Sequence, residues 1–133
     1  MRIMAIDYGD ARTGVAISDP TGLLAGFTTV INAYRPDRVT GQIALLAKEH
    51  RVERLVLGHP INMDGTRGPR SEKAQAMRQL LKETTGLPVV LWDERRTTID
   101  AHQILMSSGK NAKKRKKVVD AVAASLILEG YLT

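Results

Sequence analysis

The sequence predicts an α/β protein built on a mixed five-stranded sheet, with three antiparallel strands first, alternating helix and strand after, and helices packed on the sheet. Three observations predict it. The first third carries short apolar runs separated by turn residues, with no helical period. From residue 37 onward, apolar residues recur at helical spacing in segments that alternate with short apolar, strand-like runs. The 133-residue length fits a single domain, 1–133, with no composition shift to divide it.

The elements follow in order. Residues 3–7 are apolar and end in Asp7. A glycine turn follows, Gly9-Asp10-Ala11-Arg12-Thr13-Gly14. Residues 15–18 predict a second strand, closed by Asp19-Pro20. The turn chemistry of 19–22 separates it from a third strand over 26–31. Val39, Ile43, Leu46 and Ala47 recur at helical spacing, so a helix is expected over 37–50, with Pro36 at its first turn or just before it. A short buried strand is expected over 54–58, then a polar, glycine-rich loop over 59–70. Ala74, Met77, Leu80 and Leu81 mark a second helix ending near Gly86. Residues 88–92 predict another strand. Thr97-x-x-Asp100 has the spacing of a capping box and opens a third helix that stops near Gly109. The basic stretch 110–117 is expected as a loop. A final helix is expected over 118–128, with Gly130 past its end.

Composition narrows the function. No apolar run is long enough to span a membrane, and no signal peptide is expected at the N-terminus. Cysteine is absent, which excludes disulfides, cysteine-ligated zinc and thiol catalysis and agrees with a cytoplasmic location. The formal net charge of +6 favours a polyanionic partner. Aromatic residues are only 4 % of the chain and no interleaved aromatic run appears, which argues against single-strand recognition mainly through base stacking.

Three sets of carboxylates stand out. Asp7 ends the first strand and shares a face with Ile3 and Ala5. Asp93-Glu94 follows the last strand, where open sheets gather ligands. Asp120 interrupts an apolar helix, Val118-Val119-Asp120-Ala121-Val122, where a lone carboxylate costs free energy unless it is paired or metal-bound. Oxygen-only donors suit Mg²⁺ or Mn²⁺. Two such ions about 3.5–4 Å apart can activate water against a phosphodiester and stabilise the leaving oxygen. Around these acids lie candidate phosphate contacts. Lys113, Lys114, Arg115, Lys116 and Lys117 run directly into the Asp120 helix. Asn62, Thr66, Arg67, Arg70 and Ser71 lie in the loop leading to the second helix, whose N-terminus favours anions. Arg12 lies in the first turn and Arg95 beside Glu94. His59 is a candidate base or ligand, but no histidine cluster is visible.

Taken together, these residues resemble the YqgF family, the RuvX-like Holliday junction resolvases and pre-16S rRNA nucleases. The carriers are Ile6-Asp7-Tyr8-Gly9 with Arg12-Thr13-Gly14-Val15-Ala16, then Gly58-His59-Pro60-Ile61-Asn62-Met63-Asp64-Gly65. Trp92-Asp93-Glu94-Arg95-Arg96-Thr97-Thr98 and Val119-Asp120-Ala121-Val122-Ala123-Ala124 complete the set. Four motifs in this order, over nearly the whole chain, are specific. The resemblance implies an RNase H-like fold, a cytoplasmic bacterial protein and metal-dependent nuclease activity. It implies Asp7, Glu94 and Asp120 as the catalytic, metal-binding acids, so Glu94 rather than Asp93 is the second. The sequence departs from the family at His59, where Leu is usual, and at Arg96, where an apolar residue is common.

The substrate class expected is structured RNA, with 5′-end processing of the 16S rRNA precursor as the leading role. The alternative is resolution of branched DNA at a four-way junction, which needs two active sites and hence a homodimer rather than a monomer. A non-catalytic nucleic-acid-binding module would not need three acids. Asp7-x-Gly9 also resembles the phosphate loop of actin-like ATPases and sugar kinases, but those need two such domains around the nucleotide and this chain is too short.

Overall fold

A computed structural model describes residues 1–19, 21, 25–59, 68–93 and 112–132, with the backbone alone described for Ala25, Arg70 and 112–121. The expected third helix over 97–109 and its capping box lie outside the described residues, as do 60–67 of the glycine-rich loop.

Three consecutive strands form first: β1 (Arg2–Asp7), β2 (Arg12–Ser18) and β3 (Ala25–Asn32). They pair antiparallel, β1 with β2 and β2 with β3. Helix α1 (Pro36–Glu49), strand β4 (Val52–His59), helix α2 (Pro69–Thr85) and strand β5 (Val89–Asp93) follow. Strand β4 pairs parallel to β1, and β5 parallel to β4. The sheet order is β3-β2-β1-β4-β5, so β1 is central. The described elements close with helix α3 (Ala112–Leu132). The mixed five-stranded sheet is the one expected.

Strand periodicity divides the core between two faces. Met4, Ile6, Val15, Ile17, Leu55 and Leu57 face one side, where they meet Val39 and Ile43 of α1 and Ala74, Met77 and Leu81 of α2. Ile3, Ala5, Ala16 and Val56 face the other side, where they meet Ala124, Ile127 and Leu128 of α3. The small side chains of Ala5, Ala16 and Ala124 bring α3 close to the sheet.

Local signals explain three of the helix ends. Pro36 and Pro69 occupy first-turn positions, where the missing N–H is not needed. Gly86 caps α2 in the left-handed region (φ 71°), its N–H donating to the Lys82 carbonyl at 3.0 Å. At both ends of the loop expected over 59–70 the outcome differs: His59 closes β4 and Pro69 already opens α2.

Two expectations fail in α3. The basic run is not a loop: 112–117 is the first part of the helix. Lysine, arginine and alanine are strong helix formers, and neither proline nor glycine interrupts 112–129. A charge run resembles a loop by composition only. Gly130 does not end the helix either, since α3 runs on to Leu132. Its role is close approach: a Cβ at Gly130 would stand 3.0 Å from the Trp92 ring. Trp92 and Tyr131 also meet edge to face, with ring centroids 6.3 Å apart.

Candidate functional site

Parallel strands β1, β4 and β5 all end at one edge of the sheet, at Asp7, His59 and Asp93. Asp7 is half-buried at the end of the central strand. It follows Ile3 and Ala5 at intervals of two, so it stands on the face that α3 covers. Its cross-strand partner in β2 is Gly14, which carries no side chain. No described residue hydrogen-bonds that carboxylate. The next turn depends on Gly9, because a Cβ there would collide with the Arg12 carbonyl oxygen. That turn returns the chain to Arg12 at the start of β2, half-buried at the same edge as Asp7.

Glu94 directly follows β5 but lies outside the described residues, as do Arg95, Asn62, Thr66 and Arg67. Arg70 lies in the first turn of α2, with only its backbone described. Asp120 and Lys113, Lys114, Arg115, Lys116 and Lys117 lie in α3, also described by backbone alone. The helix therefore carries its basic residues at its N-terminal end, where the backbone dipole is already positive and no acidic residue offsets it. Asp120 precedes the sheet-packed Ala124 by one helical turn.

His59 and Ser71 are placed otherwise than the sequence suggests. His59 Nε2 and Ser71 Oγ are 2.5 Å apart, and both residues are buried. Ser71 is thus withdrawn from any role in holding a surface phosphate. The pair instead ties the end of β4 to the first turn of α2. His59 also sits in register with Asp93 of β5.

Helix α2 contributes residues that the sequence reading passed over. Gln75, Arg78, Gln79 and Lys82 line a groove of about 570 Å³ with His59 and Leu91. They flank the buried stripe of Ala74, Met77 and Leu81 on one side, so the helical spacing that located the core also marked this polar face. On the other side of the helix, Lys73 Nζ reaches Asp10 Oδ1 at 3.2 Å and joins α2 to the β1–β2 turn. Both side chains are exposed, so this pair contributes little stability. Burial raises the pKa of Tyr8, which follows Asp7, and keeps its phenol protonated; the Lys73 charge opposes that shift.

Comparison with known proteins decides between the readings this edge allows. The model of the RuvX family, described as Holliday junction resolvase, matches residues 1–133. The chain belongs to the RuvX family. It is accordingly a nuclease, a hydrolase of phosphodiester bonds. A relative from Halothermothrix orenii, named "Putative pre-16S rRNA nuclease", is 46 % identical over 99 % of this chain and 94 % of its own length. One of the same name from Bacillus subtilis is 44 % identical over 99 % of this chain and 97 % of its own. Among solved structures, RuvC of T. thermophilus in complex with a Holliday junction substrate matches with a TM-score of 0.64 at 16 % identity, over 96 % of this RuvX chain and 91 % of that one. Fowlpox virus resolvase, solved with Holliday junction DNA, matches with a TM-score of 0.58 at 15 % identity, over 99 % of this chain and 97 % of its own. At these identities the likeness concerns the fold, and that fold is the RNase H-like one.

Proposed function

We propose that this chain is a single-domain, cytoplasmic, divalent-metal-dependent nuclease that trims structured RNA at the 5′ end of the 16S rRNA precursor. The observation that carries the site assignment is the position of Asp7. It ends the central strand, faces α3, and meets no described hydrogen-bond partner. A half-buried carboxylate in that state fits a cation better than a structural role. Glu94 follows the end of β5, and Asp120 lies one turn before the helix–sheet contact at Ala124. These three carboxylates supply hard oxygen donors suited to Mg²⁺ or Mn²⁺. When bound, such an ion lowers the pKa of a water and offsets charge on the phosphate.

The remaining residues position the substrate. Arg12 flanks Asp7 at the same sheet edge. The basic first turns of α3 and the residues Asn62, Thr66, Arg67, Arg70 and Arg95 would hold phosphate oxygens on either side of the scissile bond. The names of the relatives support the RNA substrate.

Asp7→Asn keeps the size of the side chain and removes its charge. Cleavage supported by Mn²⁺ should fall by at least about a hundredfold, more than is typical when a residue that only orients a metal ligand is changed, while nucleic-acid binding stays near wild type. Equal cleavage by both proteins would end the metal mechanism. One panel, comparing a precursor rRNA end, single-stranded RNA and a four-way DNA junction with Mg²⁺ or Mn²⁺, tests the substrate.

The family description favours a second reading, resolution of four-way junctions. Paired cuts across a junction need two sites related by two-fold symmetry. A strictly monomeric mass in solution, with and without junction DNA, would exclude it.

A further inference from the structure

A groove of about 380 Å³ opens at the carboxyl edge of the sheet, on the side opposite the Asp7 carboxylate. Its floor is one stripe of α2, formed by Lys73, Ala76, Met77 and Leu80. Those positions are spaced i, i+3, i+4 and i+7, the repeat of a single helix face. Tyr8 lines it from the end of β1, and Tyr34 from the link between β3 and α1. Two of the chain's three tyrosines, 26 residues apart in sequence, thus share one groove. No run in the sequence displays this pair; the fold brings the two to one groove.

Tyr34 is 81 % exposed, so hydrophobic burial does not explain it. Tyr8 is held by packing against the core, which fixes one wall. The rim carries both a donor and an acceptor, the Lys73 ammonium and the Asp10 carboxylate, which bridge at 3.2 Å. A phosphate would be repelled by Asp10. A nucleobase matches better, because it offers apolar faces to tyrosine rings and an edge with both donors and acceptors. The groove starts one residue beyond Asp7 in the chain, so a strand that crosses the carboxyl edge of the sheet from Asp7 passes onto the face where the groove opens.

We propose that this groove receives one unpaired nucleobase of the substrate strand, stacked on Tyr34 and flanked by Lys73 and Asp10. The proposal rests on the nuclease reading and narrows its substrate class to nucleic acid with a single-stranded segment next to the scissile bond. It also gives specificity roles to Tyr34 and Lys73.

The test is a binding cycle on the full chain, without divalent metal so that nothing is cut. The probe is a short RNA hairpin with a 5′ single-stranded overhang, and a matched series in which each overhang base in turn is replaced by an abasic linker. At one position, the abasic change should weaken wild-type binding about tenfold, within the range of base–aromatic stacking. Tyr34→Ala should bind the intact hairpin about tenfold more weakly and be indifferent to that same abasic change, whereas Tyr34→Phe keeps the wild-type pattern. Because Tyr34 is exposed, Tyr34→Ala is expected to melt like wild type, which a thermal scan verifies. If the two changes are additive at every position, or if Tyr34→Ala has no effect, the groove does not hold a base. Sedimentation of both proteins covers another occupant: loss of a dimer on Tyr34→Ala would assign the groove to a second copy of the chain and overturn the proposal. Failure of the catalytic reading is separable, since active Asp7→Asn would refute that reading and leave the base-dependent binding cycle standing.

Discussion

His59 and Ser71 illustrate how single residues here tie elements of the scaffold together. Replacing His59 by Leu removes the partner of a fully buried hydroxyl. An unpaired buried hydroxyl costs about 1–3 kcal/mol, so His59→Leu should lower stability by roughly that amount in a urea titration. Adding Ser71→Ala should recover part of the loss, because the orphaned hydroxyl is then gone. Strict additivity of the two changes would show that the pair is not energetically coupled. The position of Asp7 is legible in the sequence, because the two-residue strand period places it with Ile3 and Ala5. The His59–Ser71 pairing is not, since it depends on how a loop returns the chain to a helix 12 residues on. A histidine at a strand end attracts a catalytic reading; its burial against Ser71 adds a structural one.

At the level of elements, α3 departs furthest from its sequence pattern. It extends past expectation at both ends, because charge runs and glycine are usual stop signals. At the N-terminal end, helix propensity outweighs the mutual repulsion of Lys113 to Lys117. The result is a concentrated positive end aligned with the helix dipole, which raises its attraction for polyanions. Replacing these five residues by Gln should weaken nucleic-acid binding and flatten its dependence on salt. For each duplex phosphate that the variant no longer neutralises, the slope of log K against log salt should fall by about 0.9. An unchanged slope would remove this helix end from the interface. At the C-terminal end, Gly130 leaves space that the Trp92 ring fills. Gly130→Leu should destabilise the protein by about 1–3 kcal/mol through overpacking, and should shift the emission of Trp92, the chain's one tryptophan. By contrast α1, α2 and the five strands are legible to within a few residues, because their apolar periods are regular and proline or glycine marks several of their ends.

At the scale of the whole molecule, β1 joins the two halves of the core. Met4 and Ile6 belong to the cluster under α1 and α2, while Ile3 and Ala5 belong to the cluster under α3. Sequence periodicity indicates alternating faces for this strand, but not its place at the centre, because strand order depends on long-range pairing. Centrality has an energetic consequence. Neither cluster can be lost without exposing alternate residues of the same strand, so the two should unfold together. Trp92 reports on the α3 side, where it packs near Gly130 and Tyr131, whereas far-UV circular dichroism reports on all the helices and strands. Thermal transitions followed by the two signals should therefore coincide. Ile127→Ala, which opens a cavity under α3, should lower both midpoints together, with a cost of about 2–5 kcal/mol. A tryptophan transition that precedes the loss of secondary structure, or that alone moves in Ile127→Ala, would show α3 detaching from a sheet that stays folded. Since α3 carries Asp120 and the basic run, such detachment would also separate one acid of the proposed site from the other two, and coincident transitions would mean that the site and the fold are lost in a single step.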